Sequence, residues 1–451
     1  MNITFWGGTK EVTGANYLLE SGGTKILVDC GLHQGSRYSE RRNFEPFPYK
    51  PEEITAVFVT HAHIDHIGRL PQLYKAGFRG EIFSTGPTKD FAELLLLDSE
   101  HILRKEAERE GKPFLYDTND VVQTMGLWKK KSYHEKVEVG PFVVELYDAG
   151  HILGSASYLV KAEGKRVVFS GDLGNAPAPL INSTEYFEEA DYALIESVYG
   201  GRVHERLGAR KDELEDLIED TVKSKGTLMI PAFALERTQE LLTELNDLIE
   251  NGRIPRVPIF IDSPLAIRLT GIYHKYSADP RYFNKEAIAL NRSGDRIFDF
   301  TGLKMTLTTN ESKEIANVPP PKVIVAGAGM SNGGRILHHE KLYLADPKSA
   351  ILFIGYQATG SLGRQILDGA ESVKIYGEEV PVRCRKMVVS GYSAHADQPQ
   401  LLKWVSPMRE SLKKIFVVQG EESEALALSQ KIRDEMAVQT EIPSLGEQAV
   451  L

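Results

Sequence analysis

The chain has 451 residues, 42% hydrophobic and 26% charged, which makes it too long for one ordinary core and too apolar to be disordered. Its net charge of −10, from 53 Lys and Arg against 63 Asp and Glu, excludes a broad basic surface, so nucleic-acid binding requires a local patch or a bound metal. No apolar run approaches the ~18 residues that suggest a membrane span, "MNITFWGGTK" carries no basic-then-hydrophobic leader, and Cys30 and Cys384 are the only cysteines. The expectation is a globular, cytoplasmic protein with buried thiols and either two domains or one domain interrupted by an insertion.

Over the first two hundred residues, short strand-like runs end in Gly, Asp, His or Ser: "NITFWGG", "ANYLLES", "KILVDCG", "AVFVTH", "EIFSTG", "FVVELYDAGH", "ASYLV", "RVVFSGD" and "YALIES". Helical spacing is scarce, confined to residues 66–77 and "DFAELLLLDSEHILRKEAERE", so this part reads as an α/β sandwich. From about residue 205 helix-like and strand-like stretches alternate, from "RKDELEDLIEDTVKS" and "TLMIPAF" to "KVIVAGAGM" and "AILFIGYQATG", as in a mostly parallel sheet. The strand rhythm resumes near 385 with "RKMVVSGYSAHAD" and "KKIFVVQGE". The predicted layout is therefore a first domain from 1–204 and 383–451, interrupted by an inserted α/β domain at 205–382.

The densest chemistry lies in "FVTHAHIDHIGRLPQL", where His61, His63, Asp65 and His66 follow an apolar strand. One such histidine suits a polar turn or a satisfied core contact, but four potential ligands in six positions point to a metal. Two later strand ends add His151, before a Gly-Ser turn, and Asp172 in "FSGDLG". Together these are four His and two Asp, enough for two ions sharing a carboxylate, with Asp29 in "LVDCG" available either to orient ligands or as a turn aspartate.

The ordered set "LVDCG", "THAHIDHIG", "GHILGSAS" and "FSGDLG" resembles the metal-site motifs of the metallo-β-lactamase superfamily. The continuation "LIESVYGG", "PAFALERTQELL", "DSPLAIRLTGIY", "GAGMSNGGRILHH", "GYQATGSLGRQIL" and "SGYSAHAD" is similar to its β-CASP branch, in the RNA-processing group that includes the pre-mRNA 3′-end cleavage nuclease. The resemblance covers about residues 3–435. It implies an αββα sandwich carrying an inserted β-CASP α/β domain. It also implies zinc on His61, His63 and His151, a second zinc on Asp65 and His66, and Asp172 bridging them. In this scheme Asp65 also orients the attacking hydroxide, Glu196 is the first β-CASP acid, and His395 protonates the leaving oxygen, a task that suits an imidazole.

The implied reaction is hydrolysis of single-stranded RNA, endonucleolytic and also 5′-to-3′ exonucleolytic, with no membrane partner and with a homodimer as a further expectation. The loops holding Ser331, Arg335, Arg364 and Ser393, together with Arg237, are the expected phosphate contacts. One position departs from the pattern. Where the RNA-acting group has His in "HGE", this chain reads "IFVVQGEESE", with Gln419. An amide oxygen is a poorer zinc ligand than imidazole, so of two zinc ions per chain the second is expected to be weakly held. Two other readings follow: a non-catalytic or weakly active RNA-binding subunit, suggested by Gln419, and a small-molecule metallo-hydrolase, which a large insertion disfavours.

Overall fold

The computed structural model describes residues 1–35, 37–204, 207–294, 297–355, 357 and 360–451. They form two compact units, Met1–Val203 with His395–Leu451, and His204–Ala394.

The first unit is built on two seven-stranded sheets. In one, Gln448–Val450, Asn2–Gly7, Asn16–Ser21 and Thr24–Val28 run antiparallel, and Ala56–Phe58, Glu81–Thr85 and Trp128–Lys131 continue parallel to Thr24–Val28. In the other, Thr440–Glu441, Lys414–Val418, Tyr192–Glu196 and Lys165–Phe169 are parallel, and Ala156–Ala162, Phe142–Asp148 and Lys136–Val139 complete it antiparallel. The sequence pattern follows this division. Phe142–Asp148 alternates strictly between buried and half-buried residues, as a strand covered on one face does, whereas "KIFVV" and "YALIE" are apolar runs buried on both faces.

Aromatic rings join the sheets across the middle: Phe5 meets Phe416 with centroids 5.1 Å apart, and Phe58 meets Tyr158 at 5.7 Å. Helices Gln398–Val405 and Glu422–Met436 cover the outer face of the second sheet through Leu401, Trp404, Ala425 and Leu428. On the first sheet's side, helix Gly86–Glu110 begins at a Thr85 cap with Pro87 in its first turn and stops at Gly111, whose φ of 66° is the left-handed conformation that ends helices. This is the expected αββα sandwich. The short helix Thr118–Gly126 was not anticipated, although its Asp117–Asp120 capping box is visible in "DTND".

The second unit carries a six-stranded, wholly parallel sheet in the order Leu303–Met305, Ile259–Asp262, Lys322–Ala326, Thr227–Pro231, Ala350–Phe353, Arg385–Val388. Its last strand moves the expected boundary. Arg385–Val388 pairs with Ala350–Phe353, so the insertion runs to Ala394 and the first unit resumes at His395 rather than at 383.

Within this unit Glu340, on helix Ile336–Tyr343, is fully buried; Oε1 accepts a hydrogen bond from Ser331 Oγ and Oε2 has no partner among the described residues. Burial pushes its carboxyl from 4.5 to about 8, against the pull of the Ser331 hydroxyl. A group raised in the folded state supports folding below its unfolded pKa, and that support is lost as pH climbs through the folded value. Glu340→Gln should therefore raise the melting temperature by several degrees near pH 9 and by almost nothing near pH 4.5, measured by thermal melts across pH. Equal shifts at both ends would contradict a buried titrating carboxyl.

Candidate metal centre

Parallel strands end on the same edge of a sheet, and the polar residues noted in the sequence stand at such ends. Asp29 follows Thr24–Val28, the His61–His66 stretch follows Ala56–Phe58, Asp172 follows Lys165–Phe169, Glu196 closes Tyr192–Glu196 and Gln419 follows Lys414–Val418. His151 lies in the turn after Phe142–Asp148, where its N–H and that of Ile152 donate to Ser155 Oγ. His395 is held by a β-bridge to Gly174 and by the Ala396 N–H donating to the Leu173 carbonyl.

The ligand atoms fit one metal ion. His61 Nε2 lies 3.0 Å from His63 Nδ1, which lies 3.2 Å from His151 Nε2; Asp172 Oδ2 is 3.4 Å from His61 Nε2 and 3.6 Å from His151 Nε2. Zinc bonds of ~2.05 Å in a tetrahedron put neighbouring ligand atoms ~3.3 Å apart, and these separations match the edges of such a tetrahedral metal site. Burial pushes all three imidazoles down, those of His63 and His151 strongly, which favours the neutral form that ligates. Burial alone would raise Asp172, but the His66 and His61 imidazoles outweigh it and hold the carboxyl well below its ordinary value.

The orientation of these rings is fixed from behind. Asp29, at φ 61°, accepts from the Thr60 N–H and from Thr60 Oγ1, both at 2.8 Å, and its Oδ2 is 2.8 Å from His66 Nδ1. The one proton of the Thr60 hydroxyl is thereby used. At His61 Nδ1, 3.1 Å away, the hydroxyl can only accept, so His61 carries its proton on Nδ1 and presents a bare Nε2 to the ligand set. Thr60 was overlooked in the sequence. Its signal is the threonine that joins the strand to "HAHIDH".

The second expected ligand set is less complete. His66 Nε2 is 3.4 Å from Asp172 Oδ1 and 3.9 Å from Asp65 Oδ2, yet Asp65 and His66 join no compact group of three metal-ligating side chains among the described residues. Burial raises Asp65, with His66 opposing. The compact group that does form beside the first joins Asp172 to Glu196 and His395. His395 Nδ1 is 3.3 Å from Glu196 Oε1, which accepts from the Leu173 N–H at 2.6 Å. Burial pushes Glu196 up, against the pull of His395.

The expected phosphate contacts divide. Arg335 donates to Asp262 and to the carbonyls of Thr306 and Leu307, Arg237 is buried against Glu240, and Ser331 is buried against Glu340. Those three have their partners inside the insertion. Arg364 lies at the surface beside Asp368, and Ser393 is half-buried. Tyr356, Ala358 and Thr359 of the "GYQATGSLGR" loop lie outside the described residues.

A sandwich with a zinc-shaped His-Asp set at its strand ends and a parallel α/β insertion defines a metallo-hydrolase of the β-CASP type. Family models match in three places: the metallo-β-lactamase superfamily at residues 10–80, the Beta-Casp domain at 238–366 and the Zn-dependent metallo-hydrolase RNA specificity domain at 379–443. The chain belongs to the β-CASP branch of the metallo-β-lactamase superfamily and is a metal-dependent hydrolase. It is 38% identical to Ribonuclease TTHA0252 of Thermus thermophilus, covering 95% of both chains. It is 32% and 31% identical to the transcription termination factors FttA of Methanosarcina mazei and Methanocaldococcus jannaschii, spanning 98% of itself and 70% of each of them. A crystal structure of a protein of unknown function from Enterococcus faecalis shares the fold, with a TM-score of 0.58 and 13% identity over 100% of this chain and 99% of that one.

If this set holds zinc, His63→Ala should remove the bound metal. Thr60→Val, which keeps every ligand but loses the hydroxyl behind His61, should weaken zinc by ~10–100-fold in a chelator competition. Unchanged zinc affinity in Thr60→Val would refute the orienting role.

Proposed function

We propose that the chain is a zinc-dependent ribonuclease that hydrolyses phosphodiester bonds of single-stranded RNA in RNA processing or decay. It cleaves endonucleolytically, with 5′-to-3′ exonucleolytic action from the same centre. The observation that carries this reading is the sharing of Asp172 by the tetrahedral His61–His63–His151 set and the Glu196–His395 pair, each group spanning no more than 4.8 Å. A Lewis-acid position and a proton donor then flank the same reacting phosphate.

A zinc on this set supplies Lewis acidity toward a phosphoryl oxygen and lowers the pKa of a water toward neutrality. Asp65 orients the attacking water and takes up its proton. Glu196 holds His395 by Nδ1, and the ring's other nitrogen, Nε2, gives the leaving oxygen its proton. His395 is 22% exposed at its side chain, which suits a group that must meet a polymer.

RNA is preferred as substrate because the match to the RNA specificity domain at 379–443 spans His395, and because the relative matched nearly end to end is a ribonuclease by name. The termination factors are longer, and their role is not carried over. No helix among the described residues is long and apolar enough to cross a membrane, and the proposed location is the cytoplasm. A second reading, an RNA-binding subunit with little or no activity, is favoured by Gln419 in place of histidine.

One assay separates them: cleavage of a generic single-stranded RNA with and without chelator, alongside His395→Ala. The nuclease reading expects the chelator to abolish cleavage, and His395→Ala to slow it ~10²–10⁴-fold with RNA affinity nearly intact. Binding without cleavage in the zinc-loaded protein would favour the second reading. Affinity falling in step with rate would make His395 a phosphate ligand instead.

A further inference from the structure

Gln419 stands at φ 50°, a left-handed conformation that a long side chain seldom adopts, and its backbone is tied on both sides. Its N–H donates to the Gly8 carbonyl at 2.7 Å, and its carbonyl accepts from the Ser197 N–H at 3.3 Å. Position 8 leaves room for the stem of the side chain only as glycine, since a Cβ there would lie 3.1 Å from Gln419 Cγ. The amide is thus fixed in direction, fully buried and aimed at the centre.

What it touches decides its chemistry. Gln419 Nε2 donates to Asp172 Oδ1 at 2.8 Å and lies 3.2 Å from His66 Nε2. An ionised Asp172 can only accept, which turns the amide nitrogen rather than the oxygen toward it. His66 is pinned through Nδ1 to Asp29, which sets its Nε2 beside the amide nitrogen. One amide nitrogen therefore stands between the two atoms, Asp172 Oδ1 and His66 Nε2, that a second metal would need. Asp172 divides its oxygens accordingly, Oδ2 facing His61 and His151 and Oδ1 facing Gln419 and His66.

We infer that the protein has a one-metal centre, in which the Gln419 amide takes the place of the second zinc by standing between the ligands that ion would occupy, hydrogen-bonded to Asp172. The inference rests on the zinc reading of the first site and is independent of RNA as substrate. It requires no rearrangement of His61, His63 or His151. It assigns His66 to an internal hydrogen-bonded network, and leaves Asp65 without a metal to bind.

Native mass spectrometry across a zinc titration tests it on the full-length protein. The wild type should stop at one zinc per chain. Gln419→His, which puts a lone pair where the N–H groups were, should take a second at the same free zinc. Gln419→Glu should do likewise, because a second carboxylate beside Asp172 needs a cation between them; it also keeps the test alive if the histidine variant fails to fold. A wild type that binds two zinc ions with comparable affinity would overturn the inference while leaving the zinc reading intact, and so would both variants remaining at one. A wild type that binds none would remove both, whatever its effect on RNA.

Discussion

A carboxylate buried beyond the end of strand Lys165–Phe169 sets the terms for this end of the sandwich. Left alone there, an ionised Asp172 would be very costly, because the medium around it cannot replace its hydration. It persists because imidazoles and an amide converge on it from four other segments: His61 and His66, His151, His395 and Gln419. The converse also holds. Ring nitrogens of His61, His63 and His151 stand 3.0 and 3.2 Å apart, a spacing held either by a ring N–H between neighbours or by a cation that all three share. One carboxylate and three neutral imidazoles make a set that is electrostatically incomplete on its own and completed by a divalent cation.

This convergence depends on strand direction. Thr24–Val28 and Ala56–Phe58 in one sheet, and Lys165–Phe169, Tyr192–Glu196 and Lys414–Val418 in the other, are parallel within their sheets, so residues distant in sequence emerge at a common edge. The inserted unit interrupts the chain between two adjacent strands without disturbing their pairing. Tyr192–Glu196 and Lys414–Val418 remain in register from Tyr192↔Lys414 to Glu196↔Val418. The bridge from Gly174 to His395 fixes the point of return, so the proposed proton donor is held by the sandwich itself.

Much of this was legible in the sequence, for identifiable reasons. Apolar runs ending in Asp or His announce strands with polar ends, and three histidines with an aspartate in six positions leave few alternatives to a metal. What the sequence hid is relational. Thr60 looks like any strand-end threonine until its single proton is seen to be spent on Asp29. Gln419 could be recognised as a missing histidine, but whether its oxygen or its nitrogen faces the centre depends on Asp172 and His66, hundreds of residues away. The boundary near 385 was misplaced for a similar reason: "RKMVV" reads as a strand in either domain, and only its pairing with Ala350–Phe353 decides which.

Asp262 shows why an acid at the end of an apolar strand is not by itself a metal ligand. Like Asp172 it is buried at a strand end, here in the parallel sheet of the insertion, and its carboxyl is also held low against the push of burial. Its neighbours differ in kind. Thr306 Oγ1 and Arg335 Nη1 donate to Oδ1 at 2.7 and 2.8 Å, while Ser312 Oγ and His339 Nε2 serve Oδ2 at 2.6 and 2.7 Å. Those groups bring hydrogens, so the charge is satisfied from within, and the carboxylate clasps the segments around Thr306, Ser312 and Arg335 to its strand. Around Asp172 the neighbours are imidazoles from three segments and the one amide of Gln419. A carboxylate ringed by hydroxyls and a guanidinium, which cannot give up their hydrogens to a metal, is a finished piece of framework, whereas one ringed by imidazoles, which can exchange a proton for a cation, is a metal site; by that criterion the Gln419 amide belongs to the first kind of surroundings, set into the second.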